Sequence, residues 1–124
     1  MHRRIWTIIA LLAFAFALMP AFPASAGYGA MAWDKETGKR GWSWNQSTAE
    51  KAKEVALSEC GASGCRVIIR TTAKQCAAMA STEDGKFIGA AARGTQSAAR
   101  VAALTNCQKG KAGDCTVRVS DCNK

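Results

Sequence analysis

Apolar and small residues alternate along Tyr28-Gly-Ala-Met-Ala-Trp33, with Tyr28, Ala30 and Ala32 on one parity and Gly29, Met31 and Trp33 on the other. That period of two predicts a strand, and the turn-rich Asp34-Lys-Glu-Thr-Gly38 after it predicts a hairpin. Lys39 to Trp44 is the return strand, on which Trp42 and Trp44 share a face because residues two apart point the same way. The period then changes. Ser47-Thr-Ala-Glu50 has the form of a capping box, in which the serine oxygen accepts from a free amide and the glutamate reaches back, so a helix is expected from near Ser47. Ala49, Ala52, Val55, Ala56 and Cys60 follow helical spacing, with Glu50, Lys51, Lys53, Glu54 and Glu59 filling much of the remainder. Gly61 and Gly64 end the helix, Cys65-Arg-Val-Ile-Ile-Arg70 reads as a strand, and residues 71–75 form a link.

The chain then says nearly the same thing again. Met31-Ala32, Gly38-Lys39, Ala56-Leu57 and Cys60 recur as Met79-Ala80, Gly85-Lys86, Ala103-Leu104 and Cys107. Cys65-Arg66-Val67 and Cys76 find counterparts in Cys115-Thr116-Val117 and Cys122. The second copy therefore predicts a strand from Cys76 to Ala80 and a turn at Glu83-Asp84-Gly85, where Asp-Gly tolerates positive φ. A strand from Lys86 to about Ala91 follows, then a helix from about Thr95 through Ala98, Ala99, Ala102, Ala103 and Cys107. Gly110 and Gly113 fall in a loop before a last strand, Thr116-Val-Arg-Val119. Each copy, 27–75 and 76–124, is strand, strand, helix, strand. The economical assembly is an α+β domain in which the two pseudo-symmetric repeats form one sheet with both helices on one face.

All six cysteines lie inside the duplicated pattern, Cys60, Cys65 and Cys76 matching Cys107, Cys115 and Cys122. An even number in a small exported chain reads as three disulfides. Cys60 with Cys65 and Cys107 with Cys115 are natural local pairs, and joining Cys76 to Cys122 would tie the copies together. Six cysteines allow about fifteen connectivities, and the spacing alone leaves the others open. Cys60-x4-Cys65 is a poor zinc spacing and no histidine follows residue 2, so neither a metal nor a cofactor is expected.

Residues 1–26 read as a secretory signal, with His2, Arg3 and Arg4 before an apolar run from Ile5 to Met19 and a small-residue cleavage site at Ala24-Ser25-Ala26. The run is short for a span, and Pro20 and Pro23 interrupt its end. A secreted or periplasmic single domain, 27–124, is the expectation. It keeps 15 basic and 9 acidic residues, a charge of +6, because only Arg3 and Arg4 leave with the signal. Such a charge draws a domain toward anionic polymers or acidic proteins, or simply keeps it soluble. Export argues against nucleic acid as the natural ligand.

Tyr28-Gly-Ala-Met-Ala-Trp33, Gly41-Trp-Ser-Trp44, Ala56-Leu57-x-x-Cys60, Cys65-Arg-Val and Cys115-x-Val-x-Val-x-x-Cys122 together resemble the domain-of-unknown-function 4189 family of small exported bacterial proteins. The resemblance covers essentially all of 27–124. It implies export and disulfides, and it carries no catalytic residues. In that family the second copy often has its own glycine-tryptophan motif, whereas here the matching stretch is Ile88-Gly-Ala-Ala-Ala92, with Phe87 its nearest aromatic.

Candidate chemistry is sparse. Without histidine there is no Ser-His or Cys-His pair, and six paired cysteines leave no thiolate. Asp34 with Glu36, or Glu83 with Asp84, are the carboxylate pairs that a weak hydrolase would use, but turn positions account for them as turn formers. The aromatics Tyr28, Trp33, Trp42 and Trp44 are better candidates, since one hairpin carries all four. Trp42 or Trp44 is expected in the core, leaving Trp33 beside the turn as the exposed one. Arg66 and Arg70 share a strand parity and, with Arg118 on the matching strand, offer an anion-binding stripe, although a solvated sheet face explains the same pattern at least as well. Arg93 and Arg100 are further basic candidates, and the acceptor sequence Asn45-Gln46-Ser47 is better explained by helix capping than by glycosylation. The first expectation for function is a non-enzymatic domain that binds a protein in the envelope or outside the cell, an inhibitor or immunity factor being one form. The second is a binder of wall glycan or anionic envelope polymer.

Overall fold

The structure, a computed structural model, describes residues 27–110 and 114–124. The predicted signal and Gly113 lie outside the described residues. Within them the order is β1 (Tyr28–Trp33), β2 (Arg40–Gln46), α1 (Ala49–Cys60), β3 (Arg66–Thr71), β4 (Cys76–Ser81), β5 (Ile88–Arg93), α2 (Gln96–Gly110) and β6 (Thr116–Cys122). Each half is strand, strand, helix, strand, and the class is α+β.

The strands do not join into the single sheet expected. They form two antiparallel three-stranded sheets, ordered β2-β1-β3 and β5-β4-β6. Nor do the helices share a face. Ala52, Ala56 and Cys60 of α1 pack on Ala30 and Ala32, while Ala99, Ala103 and Cys107 of α2 pack on Ala78 and Ala80. The opposite faces of β1 and β4 meet each other, with Met31, Ala77 and Met79 buried between the sheets beside Trp44, Ile68, Ile69, Ile88 and Val119. The result is four layers, helix, sheet, sheet, helix. The physical reason lies in β4, whose six residues are all buried. A strand apolar on both faces needs a cover on each, and one layer of helices would leave Met31 and Met79 in water.

Close helix packing depends on two glycines. A Cβ on Gly41 would collide with backbone of Ala56 and Cys60, and one on Gly89 with backbone of Ala103 and Cys107. Helix α1 starts one residue later than the sequence suggests. Thr48, not Ser47, is the N-cap, its side chain accepting from the Lys51 amide at 3.0 Å. Gly61 closes α1 in the left-handed region at φ 73°, its N–H bonded to the Leu57 carbonyl. Thr95 accepts from the Ala98 amide at 3.2 Å and opens α2.

The disulfides are Cys60–Cys65, Cys107–Cys115 and Cys76–Cys122. The third does not tie the copies together as expected. It joins residues that pair directly across β4 and β6, inside one sheet. The link between halves at that end is the next residue. Asn123, buried, donates to the Thr71 hydroxyl at 2.6 Å and the Thr72 carbonyl at 3.1 Å, and accepts from the Asn45 amide at 2.9 Å.

Candidate functional site

The arginine stripe is broken by a bulge. Met31 pairs with Ile69 but Ala32 pairs with Val67, so Ile68 is an extra residue in β3. An extra residue reverses the alternation on its far side. Val67 accordingly packs toward α1, while Ile68 and Ile69 both enter the inter-sheet core. Arg66 ends beside its partner Trp33, and Arg70 beside Ala30 on the α1 side, so the two exposed guanidiniums leave opposite faces of the sheet. Arg93 and Arg100 are exposed as well, on β5 and α2.

The aromatics are also divided. Tyr28 packs with Ala30 and α1, whereas Trp33 and Trp42 lie on the face of Met31, and Trp44 reaches the inter-sheet core. Trp33 is half-buried, its indole N–H donating to the Gly85 carbonyl at 2.6 Å in the other half, which corrects the expectation that it is the exposed one. Trp42 takes that role at 36% exposure, because it stands midway along an edge strand. In the second copy the matching register positions hold Ala90 and Ala92 in place of Trp42 and Trp44.

Around Trp42 the structure assembles a basic site from two residues that the sequence nominated, Trp42 and Arg118, and two that it did not, Arg40 and Ser81. Arg40, two residues before Trp42 on the same face, donates to the Ser81 hydroxyl at 3.4 Å. Arg118 donates to that hydroxyl at 3.0 Å and to the Ser81 carbonyl at 3.3 Å. Ser81 is itself fully buried. Its hydroxyl is neutral, and two donors use both of its lone pairs. Among the described residues neither guanidinium has a carboxylate within 4.0 Å, the ion pair there being Lys51–Glu54 on α1. Burial, and then the charge of Arg118, lower the Arg40 pKa from the ordinary guanidinium value. Arg40 and Trp42 also border a shallow depression of about 570 Å³ with Lys39, Glu59 and Gly61. A signal for Arg40 was present in the repeat, where an arginine replaces an isoleucine, Ile88, at the matching position.

The carboxylates are accounted for by turns. Asp34 is buried, and its oxygens accept from the Glu36 amide and the Thr37 hydroxyl, each at 2.9 Å. Asp84 accepts from the Lys86 amide at 3.0 Å and the Thr82 hydroxyl at 2.7 Å, and these bonds lower its pKa. Trp33, Arg66 and Ile68 line another cleft, of about 420 Å³, together with Lys35 and Glu36.

The model of the family described as Domain of unknown function (DUF4189) matches residues 28–122, and the chain belongs to that family. Among solved structures, it is similar to the NMR structure of Rv1813c from Mycobacterium tuberculosis, with a TM-score of 0.58 and 25% identity over 99% of this chain and 97% of that one. No curated protein matches the chain.

Proposed function

We propose that this member of the DUF4189 family is an exported, non-enzymatic binding domain that recognises an acidic protein in the envelope or outside the cell. The observation that carries the reading is the juxtaposition of an exposed Trp42 with two arginines, Arg40 and Arg118, that have no carboxylate partner within 4.0 Å among the described residues. Tryptophan and arginine dominate interface hot spots. A scaffold held by three disulfides loses little order on binding, so more of the contact energy is retained. Export is supported by the basic, apolar and small-residue succession in residues 1–26 and by the disulfides themselves, which form in oxidising compartments. A non-catalytic role is supported by the lack of histidine after residue 2 and by the turn bonds on the Asp34 oxygens.

A second reading is favoured by the same aromatic and basic pairing: recognition of wall glycan or an anionic envelope polymer, with Trp42 stacking on a sugar ring. Co-sedimentation of the oxidised protein with peptidoglycan sacculi at low and high salt, beside a pull-down from envelope extract, separates the two. Capture of a protein that is lost with Trp42→Ala supports the first. Binding to sacculi that survives high salt and needs Trp42 supports the second. If Trp42→Ala binds everything as the parent protein does, the assigned surface is wrong.

A further inference from the structure

The duplication puts matching strand positions at both margins, or seams, of the inter-sheet space, and the two differ in chemistry and in closeness, since β3 packs on β5 at one whereas β2 and β6 stand further apart at the other. Strand register makes Trp33 the counterpart of Ser81, Arg40 the counterpart of Ile88, and Ile68 the counterpart of Arg118. Where β3 lies against β5, the seam is closed by Ile68, Ile88 and the indole of Trp33. At the other seam the same three positions hold Arg118, Arg40 and Ser81. Two cations from different sheets converge there on one small hydroxyl. A solvated face explains one exposed arginine. It does not explain two half-buried ones drawn to a shared neutral acceptor, where they repel each other and have no carboxylate within 4.0 Å among the described residues.

We propose that Arg40, Arg118 and Ser81 form a site for a phosphate group, free or carried at the end of a larger molecule, whose occupancy clamps the two sheets together. Guanidinium forks bind oxyanions through paired N–H groups. A planar carboxylate is filled by one fork, whereas a phosphate monoester offers three free oxygens and close to two negative charges, which match two forks and two positive charges. The partly exposed arginines leave the site open to water, and Arg40 also borders the depression on which Lys39 and Glu59 carry opposite charges. This site uses the same two guanidiniums as the reading of a protein partner but is complete within one chain, so it goes beyond that reading, and Trp42→Ala tells failure of the one from failure of the other.

The test uses the oxidised protein and its Arg40→Ile and Arg118→Ile variants. Each substitution installs the residue that the other seam already accommodates, and native spectra with intact disulfides verify folding. Inorganic phosphate is expected to raise the thermal midpoint of the parent above its value in chloride of equal ionic strength. Each variant is expected to weaken phosphate affinity at least about tenfold, while Arg66→Ile, the same charge change elsewhere, leaves it unaltered. Glycerol phosphate and vesicles of phosphatidic acid as added arms show whether free, soluble-ester or lipid-borne phosphate binds best. No phosphate effect on the parent overturns the proposal, as does an equal effect of acetate or an equal loss in Arg66→Ile. Phosphate binding that persists in Trp42→Ala while partner capture is lost shows that the two readings are independent.

Discussion

Removing the Cys76–Cys122 bridge by double alanine substitution is expected to destabilise the domain about twice as much as removing Cys60–Cys65. The bridges close loops with sequence separations of 46 and 5 residues, and the intermediate one, Cys107–Cys115, closes 8. If each acts by restricting the unfolded chain, the contributions are about 4, 2 and 2.5 kcal/mol respectively. The folded-state costs of the substitutions largely cancel in the comparison. Cys76 and Cys60 are buried to a similar degree, at 4% and 3% exposure, and each variant loses the same two sulfur atoms. The pairing of β4 with β6 also keeps positions 76 and 122 opposite each other without the bond. Urea unfolding of the parent and the three variants, with the remaining bridges oxidised, measures the order. With a urea slope of about 1–3 kcal/mol per molar, the long-loop variant should unfold roughly 1 to 2 M earlier than the Cys60–Cys65 variant. Equal midpoints, or a larger loss for Cys60–Cys65, would show that loop closure is not what these bridges contribute.

Three further outcomes follow from named contacts. Asn123→Ala removes two donors and an acceptor that join the halves, leaves the Asn45 amide and Thr71 hydroxyl without their partner, and should cost about 1–3 kcal/mol in thermal unfolding; a parent-like melt would refute a linking role. Gly89→Ala forces a methyl into the backbone of α2 and should cost about 1–3 kcal/mol or more, whereas Gly94→Ala, with no heavy atom within 4 Å of the new Cβ, should cost little. Comparable denaturation midpoints for those two variants would contradict the close approach of α2 to β5. Asp84 has a lowered pKa, chiefly from the Lys86 amide and then the Thr82 hydroxyl, so its contribution is present above the ordinary aspartate value and is lost as pH falls through its folded value. Its carboxyl resonance, followed by NMR, should titrate below that of an unstructured aspartate, and Asp84→Asn should flatten that part of the stability profile.

The local elements were legible because their determinants are local. Alternation, the Asp-Gly turn and the alanine spacing each act within a few residues, and the cysteines after each helix face a partner only a short loop away. What required three dimensions was the relation of faces. The run Cys76-Ala-Ala-Met-Ala-Ser81 carried a signal for double burial, since it lacks polar residues at alternate positions, but the expected single sheet gave that second face no cover. The bulges at Ile68 and Arg118 left no mark in composition, and each reverses the orientation of every residue beyond it. That one-residue slip separated Arg66 from Arg70 and brought Arg118 to Ser81. Arg40 escaped notice because nothing nearby in sequence marks it, its acceptor lying 41 residues away.

Comparison of the copies with each other shows which parts of the scaffold bear the fold and which are open to change. On the helix-facing sides the copies agree at the tightest contacts: Gly41 with Gly89, Ala56 with Ala103, Cys60 with Cys107, Ala32 with Ala80. Those positions hold a helix so close to a strand that a single Cβ is excluded, and a layer that tight admits few alternatives. Between the sheets the copies agree only at the centre, Met31 with Met79, and diverge toward the seams, tryptophan against alanine and arginine against isoleucine. A packed core alone would tolerate similar side chains in both seams. Where β3 packs on β5, Ile68, Ile88 and Trp33 close the margin without charge, whereas at the wider margin Arg40 and Arg118 converge on Ser81 with no carboxylate within 4.0 Å among the described residues. Under the phosphate proposal, a bound anion supplies the countercharge that these two guanidiniums lack, at the place where the two sheets meet.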